Sequence, residues 1–357
     1  MTENSSSPFQ VFRETKFFAS LDGLRSLAIL AVIWQHGYSG HGVPHNVFGR
    51  GHHGVGLFFA ISGFLITTLL LRERDRNGHI DYRAFFTRRA LRIFPLYYAI
   101  LAIYFTMVTV LDGHPARTQL FYDNLPYHFV YLSNWCPTGT FGFAWSLATE
   151  EQFYLVWPWI LILLPKRAPI FVVLGIWGLK LFLYREVAAG NLDGLWFPTL
   201  FFRKISDSIL AGICLAWLLH HRRSFAIIRP VLAFPLAPFV YLGLCLWLLN
   251  GHYHHEEWGY LSLAFALFIG SAIIREDHSA RAILTFPALS RIGVVSYGMY
   301  LTHQIFMSGI SRLADTQIPQ ASFLRFAITT LLAFLAASLS YRYFETPFLN
   351  LKKRFSR

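Results

Sequence analysis

An all-α, polytopic membrane helical bundle is the fold class this sequence predicts, and three observations predict it. Of 357 residues, 55% are hydrophobic, 17% aromatic and only 14% charged, with a mean hydropathy of +0.43. A chain of this length cannot hide so much apolar surface in one soluble core, so the bilayer has to serve as its solvent. The apolar stretches recur in blocks of roughly 20 residues, the length at which a helix crosses hydrocarbon. The cations, finally, crowd the ends of alternate blocks, as a membrane protein's orientation signal does.

Hydropathy places about ten transmembrane helices along the chain. Met1 to Gln10 is polar and Ser-rich, without the basic, apolar and small-residue regions of a signal peptide, so residues 1–20 read as an uncleaved N-terminal tail. The first span, 21–38, carries Asp22 and Arg25 at one end and His36 at the other. The second, 54–71, contains Gly54, Gly56 and Gly63, which allow close backbone approach, to a ligand arm or to a packed neighbour. A loop rich in arginine, including Arg88, Arg89 and Arg92, leads into the third span, 93–111. The fourth, 144–164, opens on Trp145-Ser146-Leu147 and runs through Glu150 to Tyr154. Spans at 169–185, 199–219, 231–249 and 258–275 follow. The ninth, 289–310, has Ser296, Tyr300 and His303 at i, i+4 and i+7, hence on one face. The tenth, 321–344, leads to Arg342, Glu345 and Pro347, the last expected to mark the helix end. Residues 21–347 thus read as one ten-helix membrane domain and residues 348–357 as a basic tail.

Charge sets the orientation. Arg72, Arg74, Arg76, Arg83 and the arginines after them share loop parity with Lys166, Arg167, Arg222, Arg223, Lys352, Lys353 and Arg354, whereas intervening loops hold few cations and include Glu256 and Glu257. Both termini are therefore expected in the cytoplasm, with the protein multi-pass in the cell inner (cytoplasmic) membrane. The net charge of +12 is mainly this signal; the cations hug membrane ends rather than tracking a groove, so no nucleic acid partner is expected. Cys214 and Cys245 fall in apolar spans and Cys136 lacks an obvious partner, so no disulfide framework is expected.

The spacing of Arg25 and His36 is the most informative local feature. Eleven helical steps of ~100° return the two side chains to within ~20° of one face, ~16 Å apart along the axis. That stripe fits one long, phosphate-headed ligand with its anionic end at the arginine and its reactive end at the histidine, a shape that acyl-CoA has. Arg89 and Arg92 share a helical face at the same inner level as Arg25, where guanidinium forks suit phosphates. Taken alone, Arg88, Arg89 and Arg92 fit positive-inside anchors better than a binding site; their shared level with Arg25 is what favours phosphates. Asp22 at i−3 offers Arg25 a structural partner. His36 fits either an interfacial histidine or a general base for a hydroxyl nucleophile. Glu150 is expected at the depth of His36, either orienting it or tying spans together as a hydrogen-bonded carboxyl. Ser296, Tyr300 and His303 also fit interhelical glue. His41, His45, His52 and His53 lack a ligand motif and are placed in an exposed loop, so no metal is expected.

The ordered segments resemble the integral-membrane acyltransferase family 3. They are Asp22-Gly23-Leu24-Arg25 with His36, Gly54-Val55-Gly56-Leu57-Phe58-Phe59 running into Ser62-Gly63-Phe64, and Arg88-Arg89-Ala90-Leu91-Arg92. Trp145-Ser146-Leu147 with Glu150 and Tyr154, Ser296-Tyr297 with Tyr300 and His303, and Tyr341-Arg342 with Glu345 complete the set. The resemblance implies transfer of an acyl group, most often acetyl, from cytoplasmic acyl-CoA (acetyl-CoA) to a hydroxyl of a glycan or glycosylated acceptor at the outer face of the membrane. Catalysis falls to His36 and Glu150, and donor binding to Arg25, Arg89 and Arg92. Asp22, Ser62, Trp145, Tyr154, Ser296, Tyr300, His303 and Glu345 are supporting residues. Gly56 stands where relatives often carry an acid, and Gln304 and Ile305 stand where a proline often follows the motif histidine. Direct transfer and an acyl-histidine intermediate both remain open, as does an acceptor among lipopolysaccharide, exopolysaccharide, lipid-linked sugar or macrolide-like hydroxyls. A transporter or flippase is the competing class, since intramembrane Arg, His and Glu also line substrate pathways; no internal repeat supports it.

Overall fold

The computed structural model describes residues 7–38, 49–111, 113–194, 197–251, 258–314, 323–352 and 355. Among them every regular element is helical. Helix α1 (Pro8–Glu14) lies inside the segment expected to be a tail; Ser7 caps it and Phe12 is buried. Arg72 ties it down by donating to the Phe12 carbonyl at 2.7 Å. Helix α2 (Ser20–Tyr38) follows, then α3 (Gly54–Asn77), α4 (Tyr82–Leu111) and α5 (Pro115–Phe129). Next come α6 (Trp145–Leu163), α7 (Ala168–Ala188), α8 (Phe197–Lys204), α9 (Asp207–His220), α10 (Arg222–Leu232), α11 (Ala237–Asn250) and α12 (Trp258–Ile273). The last are α13 (Arg281–Leu284), α14 (Pro287–Val294), α15 (Ser296–Ala314), α16 (Phe323–Leu339) and α17 (Thr346–Lys352).

Three helical stretches, Gly51–Asn77, Tyr82–Leu111 and Phe323–Leu351, are long and apolar enough to cross a membrane; α10 and α11, bent by 77°, make a fourth if they form one span. Several expected spans are broken instead. The sixth divides at residues 205–206 into α8 and α9, the seventh at residues 233–236, and the ninth at Val295 between α14 and α15. Broken helices are tolerated at membrane depth where neighbours satisfy the freed backbone groups. The surface supports a lipid environment: Leu163, Ile227 and Val110 are 73%, 77% and 71% exposed, which would be costly in water.

Helix α2 is the hub, with Leu24, Ile29, Val32 and Ile33 fully buried. It packs against α3, α14, α15 and α16. Close approach depends on small residues, and this decides between the readings of the glycines. A Cβ on Gly54 would strike the Ala28 carbonyl, and one on Gly63 would strike the Ile209 carbonyl, so both positions are packing sites. Gly56 differs: it faces the Phe265 ring and the Ser208 hydroxyl and lines a cavity. Pro347 does not end a helix. It is the second residue of α17, inside the continuous helical stretch Phe323–Leu351. A π-helical turn (Ser340–Glu345) precedes it.

Candidate functional site

The polar residues of α2 divide into two ends. At the inner end by sequence, Arg25 Nη1 meets Asp22 Oδ1 at 2.8 Å, the expected i−3 pairing. Arg92, on α4, lies within electrostatic range of Arg25. Arg89, one turn earlier, lays its guanidinium over the Tyr154 ring at 5.4 Å and over Phe85 at 5.8 Å. The structure therefore brings Arg25, Arg89 and Arg92 to one region, with Asp22 bonded to Arg25 and Glu150 and Glu151 within electrostatic range of Arg89.

Glu150 belongs to this end. Its carboxylate accepts hydrogen bonds from the Ser62 hydroxyl and the Tyr154 hydroxyl, and Arg89 is within electrostatic range. The expected sharing of depth with His36 is not what the structure shows. The chain enters α6 already inside the bundle: the one-turn helix Gly142–Ala144 packs on α15, Phe143 against His303 at 5.7 Å, and Ser146 Oγ lies 2.6 Å from the Tyr300 hydroxyl. Glu150 then lies about 6 Å further along the axis than Ser146. Glu345 does not pair with Arg342, its neighbour at i−3. It is buried and accepts from Ser340 at 3.1 Å, while Arg342 is exposed over the Tyr343 ring at 5.2 Å, because the π turn carries the two side chains apart.

At the other end, His36 Nδ1 lies 3.0 Å from the Val32 carbonyl. A carbonyl can only accept, so Nδ1 carries the hydrogen and Nε2 keeps the lone pair. Backbone, not Glu150, orients this ring. His303 stands behind it, ring centroids 5.1 Å apart, fully buried, with Nδ1 2.6 Å from the Tyr300 carbonyl and Nε2 without a protein partner among the described residues. The face expected from Ser296, Tyr300 and His303 is thus buried as a unit, and Tyr300 donates to the Phe143 carbonyl at 2.9 Å.

His36 opens onto a cavity of about 900 Å³, bounded also by Gly56, Phe143, Trp145 and Tyr300. His52 and His53 line it as well, in a one-turn helix (Gly51–His53) rather than a loop; His53 is buried there, while His52 is exposed as expected. His41 and His45 lie outside the described residues. Among the charged residues of the lining that sequence reasoning missed are Lys180 and Asp207, which pair at 2.9 Å between α7 and α9. A lone lysine in the fifth span and a lone aspartate in the sixth were the available signal. It also missed Glu151, which is buried beside Arg89.

Comparison with known proteins decides the family. A family model described as an acyltransferase domain matches residues 18–342. The chain belongs to the acyltransferase 3 family. It is 30% identical over 372 residues to a protein of Staphylococcus aureus (strain COL) named by inference as an O-acetyltransferase, covering 97% of this chain and 59% of that one. It is 27% identical over 379 residues to the peptidoglycan O-acetyltransferase OatA of Listeria monocytogenes, covering 95% of this chain and 58% of OatA. A Bacillus subtilis protein, YrhL, named by inference as a peptidoglycan O-acetyltransferase, is 27% identical over 93% of this chain and 55% of its own length. The chain therefore spans somewhat over half the length of these relatives. No solved structure matches.

Proposed function

We propose that this chain is a membrane O-acyltransferase that moves an acyl group, acetyl in the first instance, from cytoplasmic acyl-CoA to a glycan hydroxyl at the outer face of the cytoplasmic membrane. Ten spans with both termini inside is the path that goes with this reading, because it sets Arg25 at the inner and His36 at the outer end of α2. The observation that carries it is the division of α2: three arginines converge at one end, and at the other a histidine whose Nε2 keeps its lone pair lines a large cavity. The names of OatA and YrhL support peptidoglycan as the glycan over lipopolysaccharide.

The phosphates of the donor would be held by Arg25, Arg89 and Arg92 through charge-assisted hydrogen bonds, with the pantetheine arm extending along α2. The ~16 Å from Arg25 to His36 along the axis is within the reach of that arm. In the transfer, the acceptor oxygen attacks the thioester carbonyl as His36 Nε2 takes its proton. The new C–O bond forms, the C–S bond breaks, and the coenzyme A thiolate leaves. The imidazolium then returns a proton to that thiolate, so acid and base are restored. Hydrogen bonding of Nδ1 to Val32 holds the ring in the tautomer this step needs. Ser62, Tyr154 and Glu150 form a hydrogen-bonded group at Arg89, where they would shape the donor site.

Purified protein in detergent, given acetyl-CoA labelled in the acetyl group, tests the proposal. Transfer to peptidoglycan-derived glycan, or slow hydrolysis of the thioester without acceptor, is the expected result. A protein that binds and moves glycolipid but never consumes the thioester would be a flippase.

A further inference from the structure

The cavity that holds His36 has a second charged feature that donor binding does not use. Its lining includes Arg117 from α5, Arg203 and Lys204 from the end of α8, and Arg312 from α15. Among the described residues the one carboxylate in that lining, Asp207, is already engaged by Lys180. Arg117, Arg203 and Arg312 are exposed, and Lys204 lies over the Trp135 ring at 5.6 Å. In the proposed orientation these cations lie at the outer side, where the orientation signal calls for few positive charges and so does not account for them. A mouth lined by one sign of charge with low-dielectric walls concentrates ligands of the opposite sign. Trp145, 45% exposed and facing the same cavity, offers a flat apolar surface beside them, of the kind on which sugar rings stack.

We infer that this outer mouth binds the anionic groups of an acidic glycan acceptor, with carboxylates or phosphates held by Arg117, Arg203, Lys204 and Arg312 while a ring hydroxyl reaches His36. The inference rests on the acyltransferase reading and narrows its acceptor to glycans that carry negative charge near the hydroxyl acylated. It also assigns a division of labour. Two cationic sites at opposite ends of α2 would take two anionic substrates from opposite sides, and neither would compete for the other's site.

The test uses full-length protein with labelled acetyl-CoA and matched acceptors: a tetrasaccharide containing N-acetylmuramic acid, its carboxyl methyl ester, and the same neutral ester carrying a phosphate monoester. Wild type should favour the carboxylate or the phosphate acceptor over the neutral ester by about tenfold in kcat/KM, and the better of the two identifies the anion. The double variants Arg203→Gln with Lys204→Gln, and Arg117→Gln with Arg312→Gln, should each lower kcat/KM for the acidic acceptor roughly 3- to 10-fold. The neutral ester and the KM for acetyl-CoA should be unaffected. Raising salt from about 50 to about 500 mM should erode the wild-type preference, a measurement that does not depend on any variant folding. Equal losses on acidic and neutral acceptors, or a salt-independent absence of preference, would overturn the inference while leaving acyl transfer intact. Absence of transfer to every acceptor would defeat the acyltransferase reading and this one with it.

Discussion

Replacing Arg92 with glutamine isolates the donor site with the least collateral damage. Arg92 is exposed and within electrostatic range of both Arg25 and Glu345, and when it is removed the buried Glu345 keeps its hydrogen bond from Ser340. A charge-assisted hydrogen bond to phosphate contributes about 1.5 to 3 kcal/mol. Exposure places Arg92 near the lower figure, a loss of roughly tenfold in affinity. Arg89 is stacked between Phe85 and Tyr154, and Arg89→Gln should approach the upper figure, roughly 100-fold. Arg25→Gln leaves Asp22 facing the phosphates unpaired and should be at least as severe. Isothermal titration of detergent-solubilised protein with acetyl-CoA and with acetyl-pantetheine, which lacks the nucleotide phosphates, measures both. The variants should lose affinity for the former and little for the latter. Unchanged acetyl-CoA affinity, or equal losses for both ligands, would refute phosphate binding and return these arginines to membrane anchors.

Three further outcomes are expected. In a background with Cys136, Cys214 and Cys245 replaced, a cysteine at Asn191 should react with a membrane-impermeant thiol reagent in intact cells, and one at Asn77 only after permeabilisation; the reverse pattern would invert the orientation. Glu150→Gln keeps an acceptor for Ser62 and Tyr154 and should cost about 1 to 2 kcal/mol of stability or donor affinity, leaving the pH profile of kcat in place. A displaced profile would instead couple Glu150 to His36. His128, in α5, is held down to about 4 by burial. Its folded value lies below the unfolded one, so the folded state is favoured above pH ~6.5 and loses up to roughly 3 kcal/mol as pH falls from there to the folded value. His128 packs against Phe121 and Phe141, so His128→Phe should flatten the acid side of a thermal-melt profile; an unchanged acid limb would contradict this.

The fold class and the two ends of α2 were legible because they rest on local rules. Hydropathy finds apolar helices, and helical periodicity puts Asp22 at Arg25 and Tyr300 near His303. What the sequence hid depends on how segments enter the bundle. Counting residues from an assumed surface placed Glu150 beside His36, but the turn Gly142–Ala144 lies inside the fold and carries Glu150 to Ser62 and Tyr154. A π turn carries Arg342 away from Glu345, and no spacing rule for an α-helix anticipates it. The cavity itself is assembled from α2, α5, α8 and α15, far apart in the chain, so Arg117 and Arg312 read as ordinary loop cations until the structure set them around one opening.

Turnover by His36→Ala is the most direct test of the central claim that His36 Nε2 takes the acceptor's proton. Correct insertion is checked by the cysteine labelling above, donor affinity by titration, and turnover by transfer of labelled acetyl to the glycan acceptor. The account expects acetyl-CoA affinity near that of the parent and turnover lower by roughly 10²- to 10⁴-fold, because base assistance acts in the transition state and little in donor binding. Full transfer activity in a correctly inserted His36→Ala protein would contradict it.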